Sequence, residues 1–185
     1  MAISKIKTAS ILDSTIATAD IADGAVTSIK TTGVGGANTP SFFAIKSSSN
    51  AQVVADATGV QVTFDSEIYD THNAFASSTF TVPSGHAGKY FFYGTVNLDG
   101  GTYSRVNNAI VYLLKNGTIV GNWNLDLRSH PIYAFDLPFT DTQICAVGDA
   151  FTVNGYVDVT SGTPSFNGNS DNRHETQFGG FKIIE

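Results

Sequence analysis

One cysteine in 185 residues, Cys145, has no partner within the chain, so no internal disulfide staples this fold. Charge is scarce as well: 14% of residues are charged, and 10 basic against 16 acidic side chains leave a formal net charge of −6. No Lys/Arg cluster stands anywhere along the chain. Phosphate backbones and anionic membranes both require concentrated positive charge, so neither nucleic acid nor a membrane surface is expected as a partner. No apolar run approaches the ~18 residues that cross a bilayer, and residues 1–30 hold no apolar stretch of signal-peptide length. Synthesis in a cytoplasm without export by the usual route, and no membrane insertion, are therefore expected. Catalytic signatures are missing too: there is no G-x-S-x-G elbow, no HExxH and no Cys-x-x-Cys. The four histidines, His72, His86, His130 and His174, are isolated in expected turns. An enzyme is not expected.

What the chain has in plenty is Gly, Ser, Thr and Asn, with 13 Phe and 7 Tyr supplying most of the aromatic content. That is a β-rich, loop-rich profile. The organising stretch is 80–117. Within it Tyr90, Phe92, Gly94, Val96 and Leu98 alternate with Lys89, Phe91, Tyr93, Thr95 and Asn97. Period-two alternation over this length predicts a strand with one apolar face. A second apolar run, 109–114, leads into Asn116-Gly117, the pair that tolerates the positive φ of a two-residue hairpin turn. Residues 118–120 are expected to fold straight back.

Further short strands are expected at 42–46, 52–54, 60–64, 67–70, 122–125, 131–137, 143–147, 150–157 and 177–184. Cys145 lies in one of them and is expected to be a buried, inert thiol. Eight to ten short strands at this spacing predict an all-β sandwich or jelly roll. About 145 residues suffice for one sizeable core, with ~68–70% of the unfolded surface buried.

Ahead of that domain, Ile6, Ile11, Ile16, Ile21 and Val26 recur at every fifth position among small and polar residues. A period of five fits neither helix nor strand. One short chain buries few of those aliphatics against itself, so the readings are a β-solenoid-like winding, several chains intertwined around a shared axis, or a tail of accidental regularity. Residues 11–16 and 20–27 also resemble segments of bacteriophage tail-fibre and other appendage proteins, near the end that attaches to the particle. The division expected is 1–30 as a particle-attachment and trimerisation segment, 31–40 as a Gly-rich linker and 41–185 as a head.

The head resembles the C1q-like (C1q/tumour-necrosis-factor) globular domain. The landmarks are Phe42 and Ala44 in the opening strand, the pairs Phe64-Asp65 and Tyr69-Asp70, and Phe80-Thr81-Val82-Pro83 ahead of Gly88, Tyr90, Phe91 and Phe92. Leu114-Lys115-Asn116-Gly117, Gly148-Asp149 and Phe178, Gly180 and Phe181 follow in order. No collagen-like Gly-X-Y stalk precedes them. The resemblance implies a ten-stranded C1q/TNF-like jelly roll that assembles as a compact trimer. Phe91 and Tyr93 stand on the face opposite the core, where a monomer is normally polar. A trimer contact or cover by a neighbouring loop would explain them.

Three polar loops are the candidate receptor surface: 99–108 with Tyr103 and Arg105, 122–130 with Trp123 and Arg128, and 160–173 with Phe166. Aromatic and Arg side chains among Asn, Ser and Gly suit adaptable polar binding, stacking on sugars included. Asp70 with His72, and Asp171 with His174 and Glu175, are the metal candidates. Calcium ranks ahead of zinc because Asp and Asn oxygens dominate the loops, but no motif fixes its ligands and no cofactor is expected. The resulting expectation is a homotrimeric phage virion fibre, held through its leader by other virion proteins (tail, capsid or fibre-anchoring) and displaying the head for attachment to a host glycan or lipopolysaccharide. The alternative is a capsid-decoration or head-fibre protein of mainly structural role. A polysaccharide depolymerase would need clustered carboxylates in a groove.

Overall fold

The computed structural model describes residues 37–47, 51–101, 106–168 and 175–183. The pentad residues Ile6, Ile11, Ile16, Ile21 and Val26 lie outside the described residues. The described part is two antiparallel sheets face to face, with strands numbered along the chain. The first sheet runs β2 (Gln52–Val53), β12 (Ser165–Asn167), β7 (Gly88–Asp99), β13 (Gln177–Lys182), β1 (Ser41–Ile45), β4 (Ser66–Asp70). β10 (Ala134–Cys145) covers the other edge of β7 along its whole length, from Gly88 to Asp99. The second runs β5 (Phe75–Ala76), β6 (Thr79–Thr81), β11 (Ala150–Val159), β8 (Val106–Lys115), β9 (Thr118–Asp126), with β3 (Val60–Gln61) also on β11.

The jelly-roll expectation holds, and β7 is its spine. Tyr90, Phe92, Val96 and Leu98 are fully buried, as the alternation predicts. They face Val111 and Leu113 of β8 and Phe151, Val153 and Val157 of β11, all likewise buried. At the centre Phe42 stacks on Phe80 at 4.5 Å and on Phe75 at 5.0 Å, and meets the edge of Phe178 at 5.0 Å. Phe92 lies 4.3 Å from Phe151, joining the two sheets. Aromatic pairs of this kind add about 0.5–1.5 kcal/mol each beyond the area they bury.

Asn116 and Gly117 take φ of 52° and 78°, and Lys115 pairs with Thr118 across them: the predicted two-residue hairpin. Other boundaries differ from expectation. The described residues form 13 strands rather than about ten, because two-residue pieces such as β2, β3 and β5 are made by their partners rather than by their own pattern. Residues 118–120 and 122–125 merge into β9, and 131–137 and 143–147 largely merge into β10. Pro138 sits inside β10 without breaking it, since among the described pairings β10 joins β7 on one side only and the missing N–H falls on an edge strand.

The turn into β11 is fastened by Asp149. Its carboxylate accepts the Ala146 N–H at 2.7 Å and the Asn116 side-chain N–H at 2.8 Å, and pairs with Lys115 at 2.8 Å. The Lys115 ammonium, ahead of these hydrogen bonds, draws its pKa down from 3.8 to about 2. A carboxyl depressed in the folded state stabilises the fold above its unfolded pKa and loses that contribution as pH falls through its folded one. Asp149→Asn should therefore lower stability at neutral pH and flatten the loss of stability between about pH 4 and pH 2, read by urea unfolding across that range. Cys145 is buried and, chiefly through that burial, its thiol is pushed up to about 12, which accords with the inert thiol expected.

Candidate functional site: an outward aromatic face

The outer face of the first sheet is set by register. Tyr69 pairs with Phe43, Phe43 with Gly179 and Gly179 with Tyr93, so four neighbouring strands form one cross-strand row. In the next row Phe181 pairs with Phe91. The rings follow the ladder: Phe43 lies 6.1 Å from Tyr69 and 6.2 Å from Tyr93, Phe91 lies 6.1 Å from Tyr93 and 5.5 Å from Phe181. Tyr69 remains 45% exposed in the lone protomer, and the other four are half-buried. On the same face of β10, Ile144 is 76% exposed, opposite Lys89.

Glycine makes this face possible. A Cβ on Gly179 would come within 2.6 Å of Tyr93 Cζ and 2.7 Å of its oxygen, so only glycine leaves room for the ring between β1 and β7. The next residue does the same for the interior: a Cβ on Gly180 would meet Phe92 Cδ1 at 2.7 Å and Phe42 Cε1 at 3.0 Å. Burial, and then a hydrogen bond with Tyr69, hold the Tyr93 hydroxyl well above its usual pKa, so it stays neutral. Aromatic side chains of this kind are the ones enriched at protein–protein interfaces.

Phe91 and Tyr93 thus stand where the alternation places them, outward and together. Phe43, Tyr69 and Phe181 join them and were missed. The signal was available in Phe42-Phe43, where adjacent aromatics must face opposite ways, and in Gly179-Gly180-Phe181.

Tyr103 and Arg105 lie outside the described residues. Trp123 is in β9, where the strand expected at 122–125 puts it; its half-buried ring packs 5.5 Å from Phe139 and over Gly121. Arg128 is exposed beyond β9 and pairs with Asp126, whose carboxyl it draws down to about 2. Phe166 is corrected outright: it is fully buried in β12, within a stretch read as loop. Its ring fills the space above Gly155, where a Cβ would meet it at 2.5 Å. The glycine within the alternating run 150–157 was the mark of that close approach.

Of the metal candidates, Asp171 and His174 lie outside the described residues. Asp70 accepts the backbone N–H of His72 at 3.0 Å and of Phe75 at 2.7 Å, which makes it the fastener of its own turn. Among the described residues no three His, Cys, Asp or Glu side chains cluster as metal ligands do.

No family model matches this chain, and no curated protein matches it in sequence. Among solved structures it is similar to the globular domain of zebrafish complement 1qA protein, at 13% identity over 78% of this chain and 98% of that one, with a TM-score of 0.51. It is also similar to murine APRIL, solved at pH 5.0, at 13% identity over 77% and 98% of the two chains, with a TM-score of 0.52. The likeness is one of fold: the described residues adopt the C1q/TNF-like jelly roll.

Proposed function

We propose that this protein is a non-enzymatic, homotrimeric subunit of a phage virion appendage, attached through its leader and presenting the jelly-roll head to a host surface glycan or lipopolysaccharide. The observation that carries the reading is the aromatic row Tyr69–Phe43–Tyr93 with Phe91 and Phe181 beside it, outward on the first sheet. A lone soluble protomer has no use for such a face, whereas a subunit contact buries it. The trimer accords with the family that the head resembles. The pentad aliphatics at 6, 11, 16, 21 and 26 suit neighbours brought alongside by the same threefold arrangement. Three weak sites on one head, and several heads on one particle, gain by avidity what each site lacks in affinity. With Phe166 in the core and Trp123 packed on Phe139, the residues left for receptor contact are Arg128 and the segment holding Tyr103 and Arg105.

Light scattering of the full chain and immunogold microscopy of particles, with antibody raised to the head, test the reading. A mass three times 19.5 kDa and label on fibres support it. A single-protomer mass, or particles that take no label, would overturn it. Label spread over the capsid shell would instead favour the decoration role.

A further inference from the structure

His72 and His86, fourteen residues apart in sequence, meet in space. His72 sits in the turn after β4 and His86 in the turn before β7, while the hairpin β5–β6 between them folds back and closes the two turns on each other. Their ring centres are 4.4 Å apart with the planes at 71°. A metal–nitrogen bond of about 2.0 Å puts an imidazole centre about 3.2 Å from the ion. Two imidazoles at right angles on one ion then stand about 4.5 Å apart, and two at a tetrahedral angle about 5.2 Å. The observed spacing matches the right-angle case.

Both carriers are held by their surroundings. The His72 N–H donates to Asp70 at 3.0 Å, and its Nδ1 lies 2.9 Å from Thr71 Oγ1. That oxygen accepts the Ser41 N–H at 2.9 Å and lies 3.2 Å from the Ser41 carbonyl. A Thr71 hydroxyl that donates to Ser41 accepts from Nδ1–H, and this tautomer leaves Nε2 with the lone pair a metal requires. On the other side the His86 N–H donates to the Pro83 carbonyl at 3.1 Å, and the Tyr90 hydroxyl donates to the His86 carbonyl at 2.8 Å. Alongside opens a cavity of about 410 Å³ lined by His72, Asn73, Pro83 and Ser84 among others, roomy enough for the waters that complete a coordination shell.

We propose that His72 and His86 form a two-imidazole site for a divalent transition-metal ion that accepts nitrogen ligands at right angles, copper(II) or nickel(II). Water entering from the adjoining cavity would supply the remaining ligands. This site is independent of the aromatic face and of the virion reading.

Calorimetric titration of the full chain with nickel chloride, repeated with copper chloride, tests it. One ion per chain is expected. His72→Ala and His86→Ala should each weaken binding by about tenfold or more, while His130→Ala binds as the parent chain does. Melting without metal shows that each variant is folded, and added nickel should raise the melting temperature of the parent but not of the double variant. No saturable binding by the parent, or one-ion binding that survives in the double variant, would overturn the proposal.

Discussion

In the proposed trimer, replacing Phe91 and Tyr93 together by aspartate should leave a folded chain whose mass in solution is that of one 19.5 kDa protomer instead of three. Both side chains stand outward on β7, half-buried by Phe43 and Phe181. A carboxylate in their place stands among aromatic rings, and closing the proposed subunits over it would remove its water. The effective penalty is several kcal/mol per ion, repeated at each copy around a symmetric axis. Within the protomer the loss is small, because Tyr90 and Phe92 on the inner face are untouched. Size-exclusion chromatography with light scattering reads the mass, and circular dichroism reads the fold. Tyr93→Phe is the control: it removes only the hydrogen bond to Tyr69 and should leave the proposed assembly intact. A double aspartate variant that still runs at three chains would place the joint elsewhere.

Phe92→Ala should cost about 3–5 kcal/mol, the range for an aromatic removed from a packed core. Its ring is fully buried and lies 4.3 Å from Phe151, 5.9 Å from Phe80 and 6.1 Å from Phe178, so it touches both sheets at once. Single domains are stable by roughly 5–15 kcal/mol in total, and such a loss takes a large share. Urea unfolding at fixed chain concentration should show a midpoint lowered in proportion. A change under about 1 kcal/mol would mean that the core closes over the gap.

The sheet was legible wherever one strand carries its own periodicity. Residues 89–98 alternate without a slip, and Asn116-Gly117 marks its turn by backbone chemistry alone. The jelly roll and the outward position of Phe91 and Tyr93 followed from those. The rest depends on partners. β12 exists because it lines up beside the end of β7, and β2 because it pairs with β12, so Phe166 read as loop although it is core. The strands expected at 131–137 and 143–147 join into one because Pro138 lies in an edge strand, where its missing N–H breaks no pairing. The row Tyr69–Phe43–Tyr93 is assembled from three segments far apart in sequence, and its register is set by long-range pairing. The meeting of His72 with His86 is invisible until the short hairpin between them is closed.

At Gly179-Gly180 the wall separating the outward rings from the inward ones is a single bare backbone strand, with Tyr93 against one side and Phe42 and Phe92 against the other. No methyl or methylene cushions one layer from the next. Whatever presses on the outside is therefore transmitted to the interior at once, and in the proposed trimer joining protomers and annealing the core become a single cooperative event. Dilution alone should then soften the molecule, and a wedge slipped between protomers would act on it as a denaturant does.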